Sequence, residues 1–312
     1  MDFSTLQMDA VPDLTEEMRP DQNVVLHIDG DILCYEYGCI EDPVIARRRL
    51  CMSIKSRQDA ARAGSIMLHL TADDSDKGLR SLISITQPYQ GQRKKSGARK
   101  PVSLAALRDY LMAGFAGPVT VHHDREADDG LGYASENSGH MTPIINSGDK
   151  DMQMLPGWHM TWAYPYSFVF VGPEDFRVEH EGKDYGHYFF WYQMLAGDSA
   201  DHIPGLPRHP AHTRGVGPVA AHKLLAGVQN DEQAFQAVRA AYQAHYGESW
   251  PAPFAEQASL LWIRRSAQAP VNEWAAFLPL DDELGVACGN QFARVKELQE
   301  EAQRIMDAAA NT

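Results

Sequence analysis

The segment READDGLGYA, residues 125–134, places Glu126, Asp128 and Asp129 within four positions of one another. Two unit charges about 4 Å apart repel by roughly 4 kcal/mol at an effective dielectric near 20. The crowding recurs in SGDKD, with Asp149 and Asp151, and in AGDSADHIPG, with Asp198 and Asp201 at i, i+3 spacing. Upstream, HIDGD carries Asp29 and Asp31, and LTADD carries Asp73 and Asp74. One acid after a strand can cap the next helix, where an anion gains about 0.3–1 kcal/mol. Capping does not account for clusters at several places, and no basic run of matching size adjoins them. Hard divalent cations would neutralise such a set. Mg²⁺ prefers carboxylate and water oxygens, takes few direct protein ligands and keeps several waters. Two such ions about 3.5–4 Å apart make a phosphodiester-hydrolysing site that needs no Ser, Cys or His nucleophile.

The elements that must hold these acids alternate in type. NVVLHIDGD (23–31), SIMLHLTADD (65–74), PVTVHH (118–123) and MTPIINSGDKD (141–151) read as strands, three of them ending in acids. Between them lie helical stretches: RRRLCMSIKSRQDAARAG, closed by Gly64; PVSLAALRDYLMAGFAG; and EADDGLGYASEN. This alternation predicts an α/β class with a mostly parallel central sheet. In such sheets, sites gather beyond the carboxyl ends of the strands. From about residue 186 the pattern turns to helix and loop. The predicted organisation is an N-terminal extension over 1–20, an α/β core over 21–185 and a helical region over 186–312.

The chain has 312 residues, enough for a sizeable core, and its 22% charged content is that of an ordinary globular protein. No apolar run approaches the ~20 residues needed to span a bilayer, and the N-terminus lacks a basic-then-apolar signal. The expectation is a cytoplasmic protein with no membrane partner. The cysteines at 34, 39, 51 and 288 form no C-x-x-C pair and read as buried thiols. HPAH, residues 209–212, reads as a Pro-rich loop rather than a zinc site. A net charge of −14 argues against a generally basic nucleic-acid surface. GQRKKSGARK, residues 91–100, is the local exception, with Arg93, Lys94, Lys95, Arg99 and Lys100 and no acid among them.

GVGPVAAHKLL, residues 215–225, adds a turn in which Gly215 and Gly217 permit close backbone approach and Pro218 suits a first helical turn. Amides at such a helix start face a phosphate oxygen readily. In order, HIDGD, LTADD, PYQGQR, READDGLGYAS, SGDKDMQML, GDSADHIPG and GVGPVAAHKLL resemble the 5′-nuclease superfamily. That superfamily comprises flap endonucleases, phage 5′→3′ exonucleases and the 5′-nuclease domain of bacterial DNA polymerase I. The matching pieces span roughly residues 24–226, and the overall size is most like a phage-type member.

The resemblance implies a PIN-like core, a helical arch near 78–100 and a C-terminal helix-three-turn-helix region. It implies two Mg²⁺ ions, with Mn²⁺ able to substitute. Asp29, Asp73 or Asp74, Glu126, Asp128 and Asp149 would build one centre. Asp151, Asp198 and Asp201 would lie nearer the second, with Asp129 in support. Asp31 reads as a cap rather than a ligand. The arch would carry cations to the phosphate and the passing strand. Its usual pattern is Tyr-Lys-x-x-Arg, matched here by Tyr89 and Arg93, but Gln90 stands where the lysine would be. Lys94 or Lys95 would then supply the missing charge, and Lys100 would add to strand binding. Tyr89 would stack on a base or pack the foot of the arch. Gly215, Gly217 and Lys223 would grip the duplex backbone, with K⁺ at the turn. LPRHPAHTR, inserted before that turn, reads as a longer loop.

The function so implied is hydrolysis of DNA at or near a 5′ end, flap or nick, by a monomer acting in DNA replication, in the host bacterial cytoplasm if phage-encoded. The rival readings are a PIN-like ribonuclease, a non-catalytic DNA-binding relative and a metal-binding structural protein. Exonuclease and flap endonuclease preferences stay open.

Overall fold

A computed structural model describes residues 19–95, 99–207 and 216–310. The apolar, β-branched run after Asn23 becomes the middle of the sheet. Six strands build it: β1 (Asp21–Asp29), β2 (Ala63–Thr71), β3 (Val119–His122), β4 (Thr142–Asn146), β5 (Gly157–Met160) and β6 (Phe168–Val171). Their spatial order is β3-β2-β1-β4-β5-β6. All neighbours pair in parallel except β5 with β6. β7 (Val178–His180) and β8 (Lys183–Tyr185) form a separate antiparallel hairpin. The order reverses direction between β1 and β4. That is the topological switch point of an open parallel sheet, where a crevice opens beyond the strand ends.

One sheet face buries Leu26, Ile28, Leu68 and Leu70 against α1 (Gly30–Gly38), α2 (Pro43–Ala60) and α5 (Leu104–Met112). Two short helices, α3 (Arg80–Ile83) and α4 (Gly91–Lys95), lie between β2 and α5 in the chain. Asp42 starts α2 by accepting from Val44 N at 2.8 Å, with Pro43 in the first turn. The opposite face packs on α6 (Ala127–Glu136). A larger aromatic core lies beyond, with Phe190 and Trp191 of α7 (His187–Ala196) against Trp250, Phe254, Trp262 and Trp274. That core is closed by α8 (Pro218–Leu224), α9 (Asp231–Tyr246), α10 (Pro251–Leu261) and α11 (Asp282–Ala310).

The α/β class and the four anticipated strands stand, with shifted ends. β2 stops at Thr71, so Asp73 and Asp74 lie beyond it in a turn. Gly64 does not close α2. Arg62 makes the turn in the left-handed region (φ 52°), and Gly64 already belongs to β2. β5 to β8 were not anticipated, being only three or four residues each. Cys34 and Cys288 are buried, but Cys39 follows the end of α1 and is exposed. Among the described residues no helix is long and apolar enough to cross a membrane.

Candidate metal centre

Of the strands that flank the switch point, β1 ends in an acid and β4 is followed three residues later by another. Asp29 closes β1 and caps α1, its Oδ1 accepting from Ile32 N at 2.9 Å and its Oδ2 from Ser147 Oγ at 2.8 Å. Ser147, just after β4, also accepts from Asp149 N at 3.0 Å, so one hydroxyl ties the two strand ends together. Asp149 in turn accepts from Asp151 N at 2.8 Å. Asp128 reaches the same place from the first turn of α6.

These carboxylates bear on one another. Burial, and then the charges of Asp31 and Asp149, push Asp29 up to about 7. Burial, and then Asp29, Asp149, Glu126 and Asp129, hold Asp128 well above the usual carboxylate range. Among the described residues no hydrogen-bond donor meets the Asp128 carboxylate. A half-buried acid facing other acids with no donor of its own is the feature that fits an added cation.

The second group stands beside the first. Gly197 (φ 72°) and Gly205 (φ 62°) let the two stems of the AGDSADHIPG loop touch. A Cβ on Gly205 would lie 2.2 Å from Gly197 N. Asp198 N and Ile203 N exchange hydrogen bonds with the opposite carbonyls at 2.8 and 2.7 Å. Carboxylate oxygens of Asp151, Asp198 and Asp201 come within 4.8 Å of one another, close enough for one ion to collect them. Lys150 Nζ lies 3.0 Å from Asp151 Oδ1 and 3.0 Å from Asp198 Oδ1. Gln193 Nε2 donates to Asp151 Oδ1 at 2.6 Å. Burial and the Asp149 charge still push Asp151 up to about 8. Repulsion from Asp201 and Asp198 reaches Asp149, which links the two groups.

Glu126 and Asp201 meet beside the residues just ahead of α4, the segment expected to form the foot of the arch. The Tyr89 hydroxyl lies 2.7 Å from Glu126 Oε2 and 2.9 Å from Asp201 Oδ2, with one proton to give. Tyr89 packs its ring against the aromatic core. Gln90 Nε2 donates to Glu126 Oε1 at 3.2 Å and to Asp201 Oδ1 at 3.0 Å. Arg93 pairs with Asp201 Oδ1 at 2.7 Å while more than half exposed.

Other sequence candidates fall elsewhere. Asp73 is 92% exposed, 3.6 Å from Arg108, and does not join the cluster; Asp74 pairs with His123. Asp129 is turned away from the metal groups. Arg80 grips it with two bonds of 2.6 and 2.8 Å, and Arg264 N donates to it at 2.9 Å. Burial opposes its ionisation, yet Arg80 and then Arg264 hold its pKa below the usual range. Asp31 does not cap α1, a role Asp29 takes. It accepts from Thr71 N at 2.9 Å and pairs with Arg108. Lys100, Gly217 and Lys223 are exposed. The side chains of Lys94 and Lys95, the whole of Gly215 and the LPRHPAHTR segment from Arg208 onward lie outside the described residues, as does the N-terminal extension up to residue 18. Arg80, Lys77 and Gln193, which touch these acids, had no signal in a local motif. Their partners are tens of residues away.

No family model matches this sequence, and no curated protein sequence matches it. Solved structures do. A bacteriophage T5 flap endonuclease, in a pseudo-enzyme-product complex with DNA and metal ions, matches with a TM-score of 0.55 at 15% identity, over 87% of this chain and 99% of that one. The bacteriophage T5 5′-exonuclease with bound divalent zinc matches with a TM-score of 0.54 at 16% identity, over 87% and 99%. The chain has the fold of the phage 5′-nucleases. The likeness spans nearly the whole of each relative. The acid groups described above sit beyond the carboxyl ends of its central strands.

Proposed function

We propose that this protein is a divalent-metal-dependent 5′-nuclease that hydrolyses DNA phosphodiesters at or near 5′ ends. The observation that carries the reading is the meeting of Asp29, Asp128 and Asp149 with Asp151, Asp198 and Asp201 at the switch point of a 5′-nuclease fold. The donor set is all carboxylate oxygen, which suits Mg²⁺ or Mn²⁺ rather than a soft metal. Asp29, Glu126, Asp128 and Asp149 would hold one ion and Asp151, Asp198 and Asp201 another. Bound there, such ions supply Lewis acidity toward a phosphate and lower the pKa of a water.

The chain itself supplies orientation and charge. Ser147 and Ile32 N fix Asp29, and Asp151 N fixes Asp149. Tyr89 and Gln90 hold Glu126 to Asp201 and so hold the arch foot against the metal groups. The Arg80–Asp129 pair anchors the first turn of α6, from which Asp128 projects. Arg93, which pairs with Asp201 while more than half exposed, would meet the phosphate backbone, and Lys94, Lys95 and Lys100 would add charge along the arch. Gly217, Lys223 and the Gly215 turn, with K⁺, would hold the duplex. The protein would act as a monomer in DNA replication.

The test is a 5′-end-labelled panel of blunt duplex, nicked, flapped and single-stranded DNA, with matched RNA, under Mg²⁺ titration. Metal-dependent cleavage near the 5′ end of DNA supports the reading. Cleavage of the RNA alone would transfer the assignment to a ribonuclease, and binding without cleavage to a non-catalytic DNA-binding protein.

A further inference from the structure

Three consecutive residues, Lys77 (φ 54°), Gly78 (φ 63°) and Leu79 (φ 62°), adopt left-handed backbone conformations. A residue with a Cβ enters that region only at a cost, so the surroundings must hold the turn. Asp76 Oδ1 accepts from Gly78 N at 2.9 Å. A Cβ on Gly78 would lie 2.5 Å from Arg264 Nη1, so only glycine lets that guanidinium close over the turn. Arg264 is fixed in its place by donating to the Ala269 carbonyl at 3.1 Å and, through its backbone N–H, to Asp129.

The turn delivers one side chain to the arch foot. Lys77 Nζ donates to Gln90 Oε1 at 2.6 Å and stands 3.8 Å from Glu126 Oε1. Gln90 is itself left-handed (φ 51°). Its Nε2 is committed to Glu126 and Asp201, so its Oε1 must face a donor, and Lys77 is that donor. A neutral amide thus covers the junction of two carboxylates while an ammonium stands directly beside it. Among the described residues Gln90 is the one hydrogen-bond acceptor of the Lys77 ammonium, and the side chain is 39% exposed. Two N–H groups remain to meet a ligand that enters between the arch foot and the acids.

We propose that Lys77, positioned by Gln90, contacts the phosphate bound at this centre and supplies the positive charge that position 90 lacks. The proposal rests on the nuclease reading above. A cation set in place before the substrate arrives needs little reorganisation when charge builds on phosphoryl oxygens. The alternative role, simple neutralisation of Glu126, fits poorly with a 3.8 Å separation and a part-exposed side chain, since such pairs contribute little.

The experiment compares wild type with Lys77→Gln, Lys77→Arg and the Lys77→Gln/Gln90→Lys double variant. It measures single-turnover cleavage of a 5′-flap DNA in saturating Mg²⁺, and equilibrium binding of that DNA in EDTA across a salt series. Lys77→Gln should cleave about 100-fold more slowly. Its log-affinity against log-salt slope should be shallower by about one. Lys77→Arg should retain most of the rate, and Gln90→Lys should recover at least about tenfold of the loss, because position 90 touches the same two acids. If Lys77→Gln fails to fold by its thermal melt, Lys77→Met serves as the charge-removing variant. A charge-removing variant that cleaves at the wild-type rate with an unchanged salt slope overturns the proposal. Wild-type protein that cleaves no 5′-ended DNA overturns the nuclease reading and this role with it, a result distinct from cleavage that survives the loss of Lys77.

Discussion

Asp128 and Asp129 adjoin in the chain but lie in opposite settings. Asp129 is fully buried, gripped by Arg80 and Arg264 N, and stays ionised. Asp128 faces Asp29, Asp149 and Glu126 with no donor among the described residues, and burial and repulsion push it toward the protonated form. A helix turns by about 100° per residue, so neighbouring positions face different surroundings. One setting compensates its charge within the fold and the other leaves it uncompensated. The lesson extends to the two halves of the molecule. In the aromatic core of the helical half, buried Glu273 is met by donors, accepting from Arg265 N and Ser266 N at 2.8 and 2.6 Å. The strand-end half leaves part of its acidic charge uncompensated.

The largest expected effect separates the two roles by activity. Asp128→Asn or Asp149→Asn should cut cleavage by about 100- to 1,000-fold, the usual cost of removing one preorganised electrostatic group. The metal-free variants should melt no lower than wild type, because a repelling charge has been removed. Turnover within tenfold of wild type in the folded Asp149→Asn protein would sink the assignment. Next, Asp129→Asn should lose about 3 kcal/mol of stability in urea melts, the range for breaking a buried pair by removing one partner. A loss below about 1 kcal/mol would show that Arg80 finds water or another acid instead.

That contrast also marks how far the sequence could be read. The acids, their clustering and their places after strands were legible because local pattern sets strand ends and the sheet does the rest. Asp73 lies apart from the other acids because β2 ends at Thr71, two residues short of it, and a turn carries LTADD's acids outward. Asp129 was indistinguishable from Asp128, because its partner Arg80 lies 49 positions away and reaches it only through the tertiary fold. Lys77 was hidden for a similar reason. Nothing in SDKGLRS announces three left-handed residues, and its link to Gln90 depends on the arch foot closing over α6. The helical half gave only amphipathic periodicity, which fixes helices but not the aromatic packing between them.

A third prediction concerns metal binding. A divalent ion needs ionised ligands, and Asp29 at about 7 and Asp151 at about 8 are part-protonated near neutrality. Mg²⁺ affinity should therefore rise with pH through this window and level off above it, with proton release on binding. At a hundred times its dissociation constant the ion should add about 2.7 kcal/mol to stability. Calorimetry in two buffers of different ionisation enthalpy would count the protons. An affinity flat from pH 6 to 8.5 would contradict the arrangement.

The smallest effect comes from setting buried acids against buried histidines. His27 sits in a hydrogen-bonded row with His69 and His122, each contact 3.0 Å, behind the same sheet. Ser138 Oγ donates to the Ala134 carbonyl at 2.6 Å, so His27 Nε2–H donates to Ser138 Oγ, and in the neutral row each ring carries its proton on Nε2. Burial lowers His27 to about 4, and His159 likewise to about 4. A depressed histidine contributes stability above its unfolded value near 6.5 and loses it as pH falls toward 4. The raised acids act with the opposite sign: without metal, the folded protein binds more protons than the unfolded chain between about 4 and 8, and stability falls as pH rises through that range. From pH 8 down to 6.5 only the acids respond, and the metal-free protein should gain stability. Below 6.5 each such histidine takes back about 1 kcal/mol by pH 5.5. Metal-free stability should thus rise steeply from pH 8 to 6.5 and flatten below it. Saturating Mg²⁺ should remove the rise and leave an acid-side loss, which His159→Gln should reduce. A metal-free curve that climbs with pH through neutrality would mean that the strand-end acids are as well compensated as Asp129, and the contrast between the two settings would disappear.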